Sequence, residues 1–342
     1  MADARALLER VWRGRDATAR AARLILAPAE VLYRAVIVTR GQLYDRGIFP
    51  AHAFSVPVLS IGNLSVGGTG KTPVAAWFAS QLIGRGAHPG IVLRGYGGDE
   101  TLVHERLNPG IPVIAARDRV RGIRSAIAEG SSVVVLDDAF QHRRAHRDID
   151  VVLVNADAWT GRVRLLPAGP WREPLSAARR GSLAIITRKT ASLEIVDGLR
   201  RAIEREAPRV PVAVIHLSPN ELRSTATGRA LPLQAIEGAD LTAVAAIAHP
   251  DSFFRQLTER GAIVRPHSFP DHHAFTRSEA EALARESTSS DFVVCTLKDA
   301  VKLEVLWPAD AGSLWYVSQR LRVEDGRQHL EHVIDEILAR AE

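Results

Sequence analysis

The sequence predicts an α/β protein: a doubly wound parallel sheet with a second, smaller α/β lobe and a two-stranded linker. Three observations predict it. From residue 56 onward, short β-branched apolar runs alternate with helical stretches, the pattern of parallel strands covered on both faces. A glycine-rich turn separates the first of these strands from the first helix. After an extended stretch near residues 210–233, a second strand–helix alternation begins at about residue 241. With 342 residues, 46% of them hydrophobic, the chain is long enough to bury two cores.

Residues 1–50 stand apart, with nine Arg against five acidic residues. Apolar positions 24, 25, 28, 31, 32, 35 and 36 fall near helical spacing, so the segment reads as a helix with one oily face. Pro28, Glu30 and Arg34 interrupt it, and it is too short to span a bilayer. Two uses fit equally: lying in the plane of an anionic membrane surface, or packing on the adjoining domain.

The main domain is read as residues 51–210. Val56–Ile61, Ile91–Leu93, Val113–Ala115, Val133–Leu136, Val151–Val154 and Leu183–Ile186 are its strands, with helices at Val74–Gly84 and Arg119–Glu129. Val210–Leu217 and Leu222–Leu233 flank Ser218-Pro219-Asn220 and read as an extended pair joined by a turn, the linker that opens the span 211–342. The second lobe then runs strand Leu241–Ala248, helix Ser252–Arg260, strand Ala262–Arg265, helix Ser278–Glu286, strand Asp291–Leu297, helix Ala300–Glu304, strand Ser313–Val317 and a closing helix at Gln328–Ala341. Two such lobes suit an enzyme that must enclose its reaction.

Composition narrows the function. The pI near 9.8 rests on a net charge of only +5, and just four residues, Lys71, Lys189, Lys298 and Lys302, are lysine. Positive charge is therefore dispersed Arg, with no basic stripe interleaved by aromatics, and no nucleic-acid partner is expected. One cysteine, Cys295, excludes an internal disulfide framework and sits in an apolar run as an inert thiol. No secretory signal is visible.

Ser65-Val66-Gly67-Gly68-Thr69-Gly70-Lys71-Thr72-Pro73 lies between a buried strand and a helix, the order of a phosphate-binding loop, and makes the main domain P-loop NTPase-type. Glycines let several N–H groups converge on one anion, the helix N-terminus adds positive potential, Lys71 reaches the terminal phosphates, and Thr72 offers its hydroxyl to Mg²⁺. Gly67, Gly68, Thr69, Gly70, Lys71, Thr72 and Pro73 are accordingly nucleotide-site candidates. Ser65 stands where the usual motif has Gly.

Asp137-Asp138 ends an apolar strand, where such proteins place the metal's carboxylate partner. Adjacent strand residues point to opposite sides, so one of the two is expected to face the metal and the other something different. Arg94-Gly95-Tyr96-Gly97-Gly98-Asp99-Glu100 offers Arg94 to phosphate and Asp99 as a proton acceptor. In Phe269–Phe275 the pair His272-His273 lacks companions for metal-ligand spacing, and one His supporting a catalytic carboxylate fits better. Leu165–Pro174 holds Arg172 and Glu173 between prolines. Arg172 is a phosphate candidate, and Glu173 joins Thr72, Asp137 and Asp138 as a metal candidate. Lys298 and Lys302 sit at a strand-to-helix junction, where either an anion site or plain structure would use them.

Taken together, these runs resemble the tetraacyldisaccharide 4′-kinase family of lipid A biosynthesis. Gly67–Pro73, Arg94–Gly97, Asp137–His142, Leu166–Pro170, Asp271-His272 and Thr296–Lys302, in this order, carry the resemblance over nearly the whole chain. It implies ATP- and Mg²⁺-dependent phosphorylation of the 4′-hydroxyl of a tetraacyldisaccharide 1-phosphate, giving lipid IVA, by a peripheral protein at the cytoplasmic face of the inner membrane. It also implies two α/β lobes on a two-stranded linker, a membrane-associating N-terminal helix, and a catalytic base at Asp99 paired with His272. Lys71 completes the catalytic set, and a monomer is expected. The chain departs from the family pattern in a short segment before Gly98-Asp99-Glu100, in Ala139 after the aspartate pair, and in Leu297 before Lys298.

Two other functions would use the same phosphate loop. A P-loop GTPase or ATPase serving metallocentre or cofactor maturation needs guanine-reading residues such as Asn-Lys-x-Asp, and no such run is present. A nucleotide-gated binding module would turn over nucleotide equally well without Asp99.

Overall fold

The computed structural model describes residues 8, 10–12, 14, 16–95, 98–247 and 250–341. Tyr96 and Gly97, and much of the start of the 1–50 segment, lie outside the described residues. The chain divides into two compact units, neither of them continuous in sequence. The first comprises Met1–Arg94, Asn108–Leu217 and Leu321–Glu342, and the second Gly95–Leu107 and Ser218–Arg320. Sequence order alone would have put 95–107 in the first unit and 321–342 in the second.

In the first unit, β1 (Val58–Asn63) is buried along its whole length. It lies between β4 (Val133–Asp137) and β5 (Ile149–Asn155), parallel to both. β2 (Pro89–Leu93) and β3 (Val113–Ala115) extend the sheet beyond β4, while β6 (Leu183–Arg188) and the first half of β7 (Val212–Ser224) extend it beyond β5. All these pairs are parallel, so both faces need covering, and the alternation of side chains shows how. Ile149, Val151 and Leu153 of β5 join one core with Val74, Phe78 and Leu82 of α2 (Lys71–Gly84) and with Leu330, Ile334 and Ile337 of α9 (Arg327–Ala339). Val152 and Val154 face the other core, with Val196, Leu199 and Ile203 of α5 (Leu193–Glu206). Beside it, Val134 and Leu136 of β4 meet Val120, Ile123 and Ala126 of α4 (Arg119–Ala128).

The N-terminal helix α1 (Ala17–Asp45) is continuous through Pro28, with Asp16 accepting from Ala19 N at 2.7 Å as its cap. It is inverted relative to the core helices: its polar residues reach the domain. Tyr33 Oη donates to Arg172 O at 3.0 Å, Glu30 accepts from Leu165 N at 2.7 Å, and Arg40 donates to Gln141 O at 2.9 Å. Leu24, Ile25, Val31, Leu32 and Val36 are exposed, Ile25 at 78%. Among the described residues no helix is long and apolar enough to cross a membrane.

The second unit carries a parallel set in the order β10 (Ile263–Ser268), β9 (Asp240–Ala245), β11 (Phe292–Thr296) and β12 (Leu314–Asp325). Its helices are α3 (Asp99–Leu107), α6 (Pro250–Thr258), α7 (Arg277–Glu286) and α8 (Leu297–Leu303). Strands β7 and β12 each begin in one unit and end in the other.

The extended pair with a turn at Ser218-Pro219-Asn220 is not found. β7 runs straight through those residues and turns later, pairing antiparallel with β8 (Ala230–Pro232). Pro219 lies between the stretch paired to β6, which ends at His216, and the stretch paired to β8, which begins at Glu221. Helices α3 and α5 stand where the sequence reading places none. α3 is short and mostly polar, whereas α5 shows both a Ser192 cap and apolar residues at 196, 199 and 203.

Candidate active site

The phosphate loop is built outward from β1. Gly67 (φ 112°) and Gly70 (φ 80°) occupy backbone conformations that side chains resist, and Gly70 is the residue from which α2 departs. A Cβ at Gly70 would also collide with Leu217 Cδ1. The loop is anchored by its carbonyl oxygens: Asn155 Nδ2 donates to Gly68 O at 3.2 Å, Thr187 Oγ1 to Thr69 O at 2.9 Å, and Asn63 Nδ2 to Ser65 O at 2.6 Å. Asn63 also donates to Thr69 Oγ1 at 2.8 Å. Ser65 forms an antiparallel bridge with Trp171, and Val66 N donates to Pro170 O at 2.8 Å. Ser65 thus has ordinary extended pairing, which explains why glycine is dispensable there. Pro73 falls in the first turn of α2, where its missing N–H costs nothing.

Thr72 Oγ1 donates to Asp137 Oδ2 at 3.1 Å. Lys71 Nζ lies 3.7 Å from Asp138 Oδ1, and Arg172 Nη1 donates to the same oxygen at 3.0 Å. The expectation that the two aspartates face opposite sides is corrected by the backbone. β4 ends at Asp137, and Asp138 has turned to φ 53°, so strand alternation no longer governs it. Both carboxylates therefore engage residues of the loop's Lys71-Thr72 pair.

Glu173 is placed differently from the other metal candidates. It is buried, with Arg180 donating to both of its oxygens (2.8 and 3.1 Å) and Gln141 Nε2 donating to Oε1 at 3.1 Å. The same guanidinium stacks over Phe140, 4.5 Å from the ring centroid. Arg94 follows β2 with an exposed side chain. His142 is held neutral, its pKa lowered to about 4 by burial and by the charge of Arg119.

The second cluster belongs to the second unit. Asp99 opens α3 and is only 2% exposed. His272 Nδ1 is 3.1 Å from Asp99 Oδ2, so the short segment before Gly98-Asp99-Glu100 leaves the pair in contact. Lys298 Nζ lies 3.4 Å from the same Asp99 oxygen and 3.0 Å from His272 Nε2. Burial pushes the Asp99 carboxyl up, but the His272 hydrogen bond and the Lys298 charge outweigh it and hold the carboxyl below its ordinary value. The hydrogen bond to Asp99 raises His272, against burial and Lys298, which lower it. His272 sits at φ 61°; among the described residues, it and Asp138 are the non-glycine residues in the left-handed region. Such strain concentrates where side chains must be aimed.

The His pair divides as chemistry demands. His273 stacks on Phe269 at 5.0 Å and bonds Glu279, a structural role. The lysine pair divides too. Lys302 bonds Asp299 at 3.2 Å and His273 O at 3.1 Å, and Asp299 in turn accepts from Ala246 N at 3.0 Å. Lys298, which the sequence left between an anion site and plain structure, joins the Asp99–His272 pair.

A parallel sheet whose central strand feeds a Gly-Lys-Thr turn, with a strand-end Asp on the Thr hydroxyl, is the nucleotide-binding domain of a P-loop protein. The family model for tetraacyldisaccharide-1-P 4′-kinase (LpxK) matches residues 22–339. The chain belongs to that family. It is 39% identical to the tetraacyldisaccharide 4′-kinase of Anaeromyxobacter sp. (strain K) over 92% of this chain and 90% of that protein. It is 38% identical to that of Halorhodospira halophila, over 86% and 88%. Among solved structures, LpxK from Aquifex aeolicus in complex with ATP superposes with a TM-score of 0.71 at 27% identity, covering 92% of this chain and 99% of that one.

Proposed function

We propose that this protein is an ATP-dependent kinase that phosphorylates the 4′-hydroxyl of a tetraacyldisaccharide 1-phosphate in lipid A biosynthesis, at the cytoplasmic face of the inner membrane. The observation that carries the reading is that a chain of this family holds a phosphate loop in its first unit and a buried carboxylate–imidazole pair in its second. The loop's N–H groups, the α2 N-terminus and Lys71 disperse charge on the transferring phosphoryl group. Asp99, ionised and oriented by His272, accepts the proton of the sugar hydroxyl as that oxygen attacks phosphorus. Arg172 beside Asp138 adds positive charge near Lys71.

Thr72 and Asp137 fit Mg²⁺: a hydroxyl and a carboxylate 3.1 Å apart are hard oxygen donors at the end of the strand beside β1. Among the described residues no three His, Cys, Asp or Glu side chains form a cage, which suits an ion that keeps waters and phosphate oxygens. When bound, Mg²⁺ would neutralise charge on the nucleotide's phosphates. Asp138 and Glu173 are already engaged by cations, which favours Asp137 as the direct ligand.

α1 supports a peripheral membrane role, because its polar face is bonded to the domain and its apolar face is left outward. The test is transfer of labelled phosphate from ATP to detergent-solubilised disaccharide 1-phosphate. Transfer that falls by about 10²- to 10³-fold in Lys71→Ala supports the reading. Absence of transfer to the glycolipid by the parent protein would sink it.

A further inference from the structure

We infer that Lys298 is a positioning residue that fixes the tautomer and charge of His272, and through it the state of the base Asp99. The inference rests on the proposed base pair and extends it to a third group. An ammonium only donates hydrogen bonds. Lys298 Nζ is 3.0 Å from His272 Nε2, so that nitrogen must present its lone pair. The imidazole proton then resides on Nδ1, 3.1 Å from Asp99 Oδ2, and the ring donates to the carboxylate. A second proton on Nε2 would place two positive charges against each other at that distance.

Among the described residues, the charged groups that act on the ring pull in opposite directions. Asp99 from α3 and Asp271 from the ring's own loop favour the cation, and Lys298 from α8 opposes it. Lys298 is itself steered by Asp271 Oδ1 at 3.8 Å and Asp99 Oδ2 at 3.4 Å. Its place is set by α8, which Thr296 caps through the Asp299 N–H at 3.2 Å, and by Asp299 binding Ala246 N beyond β9. The neighbouring Lys302 also lowers Asp99 through its charge, but it is ion-paired with Asp299, and Lys298 is the lysine hydrogen-bonded to the ring. His272's left-handed backbone aims the ring so that both of its nitrogens are used.

Removing the Lys298 charge raises the proton affinity of both Asp99 and His272, so the acid limb of the pH–rate profile moves to higher pH. The experiment compares parent, Lys298→Met and Lys298→Arg in the glycolipid assay across pH, beside Asp99→Ala and His272→Ala. Expected for Lys298→Met is an upward shift of the limb by roughly one pH unit. A kcat loss of about tenfold or more near neutrality should accompany it, with the KM for ATP unchanged. Lys298→Arg should restore the limb.

An unmoved limb, or a loss confined to the KM for ATP, overturns the inference while leaving the base pair standing. Full activity of Asp99→Ala and His272→Ala would instead remove the reading beneath it. An independent readout is the ¹⁵N spectrum of histidine-labelled protein at alkaline pH. The parent should show His272 protonated at Nδ1, and Lys298→Met should show the Nε2–H form gaining population. Nε2–H in the parent would overturn the inference whatever the kinetics.

Discussion

The phosphate loop and the Asp99 cluster are two solutions to holding charge in place. The loop is written in nine consecutive residues and depends on backbone: glycine conformations, a helix N-terminus, and carbonyls tied down by Asn63, Asn155 and Thr187. The Asp99 cluster has no such contiguity. Its three groups come from residues 99, 272 and 298, and it depends on side chains meeting at 3.0–3.4 Å. Each region holds one strained non-glycine residue, Asp138 beside the loop and His272 in the cluster. The lesson is that a backbone-built site binds an anion of fixed shape, whereas a side-chain-built site sets proton affinities.

That division of labour can be broken experimentally. Asp99→Ala should reduce kcat by about 10²- to 10⁴-fold with the KM for ATP unchanged. Loss of ATP binding in that variant would show that the two regions are not separable. Lys71→Ala should cost about 10²- to 10³-fold in kcat and raise the KM for ATP, because Lys71 neutralises phosphate in both ground and transition states.

Gly62→Ala probes the scaffold beneath the loop. A Cβ there would lie 2.5 Å from Phe140 N and Cβ, so the variant should lose about 1–3 kcal/mol of stability in a thermal or denaturant melt. Parent-like stability would mean that β1 and the Phe140 turn yield easily.

The cluster also makes stability depend on pH in a definite direction. The folded-state pKa of Asp99 is lowered, so its contribution is present above the unfolded value near 3.9 and is lost as pH falls through the folded one. His272 is raised, so its contribution is full below the unfolded value near 6.5 and is lost as pH rises through the folded one. The stability gap between parent and His272→Ala should therefore be widest at about pH 4–6.5 and narrow above it. Because His272 is partly exposed, the gap is small, and a gap that widens with alkalinity would contradict the pairing.

The smallest effect on either site is expected from Leu24→Ser/Ile25→Ser on α1. With both side chains 70% or more exposed, stability should change by about 0.5 kcal/mol or less, and detergent-based activity should hold. Binding to anionic vesicles should fall, and unchanged vesicle binding would remove α1 as the membrane-facing element.

Much of this was legible in the residues. β-branched runs marked the strands of the first sheet because a strand covered on both faces has no polar side to show, and β3 is found at Val113–Ala115 as read. α3 escaped detection because nine mostly polar residues carry little helical periodicity. Its buried Asp99, Val103 and His104 make sense only beside α8. Ser218-Pro219-Asn220 reads as a turn because proline signals a break locally, whereas β7 carries it in the gap between its β6-paired and β8-paired stretches.

The sequence by itself determined the phosphate loop, since glycine conformations and a helix start are properties of neighbouring residues. It also determined the strands of the sheet around that loop, through their continuous β-branched runs. Only the tertiary structure decided that Lys298 rather than Lys302 meets His272, that Asp138 leaves its strand to face Lys71, and that Glu173 is taken by Arg180. Those choices depend on which distant segments pack together, and a charged side chain's role is set by the partner within about 4 Å rather than by its place along the chain.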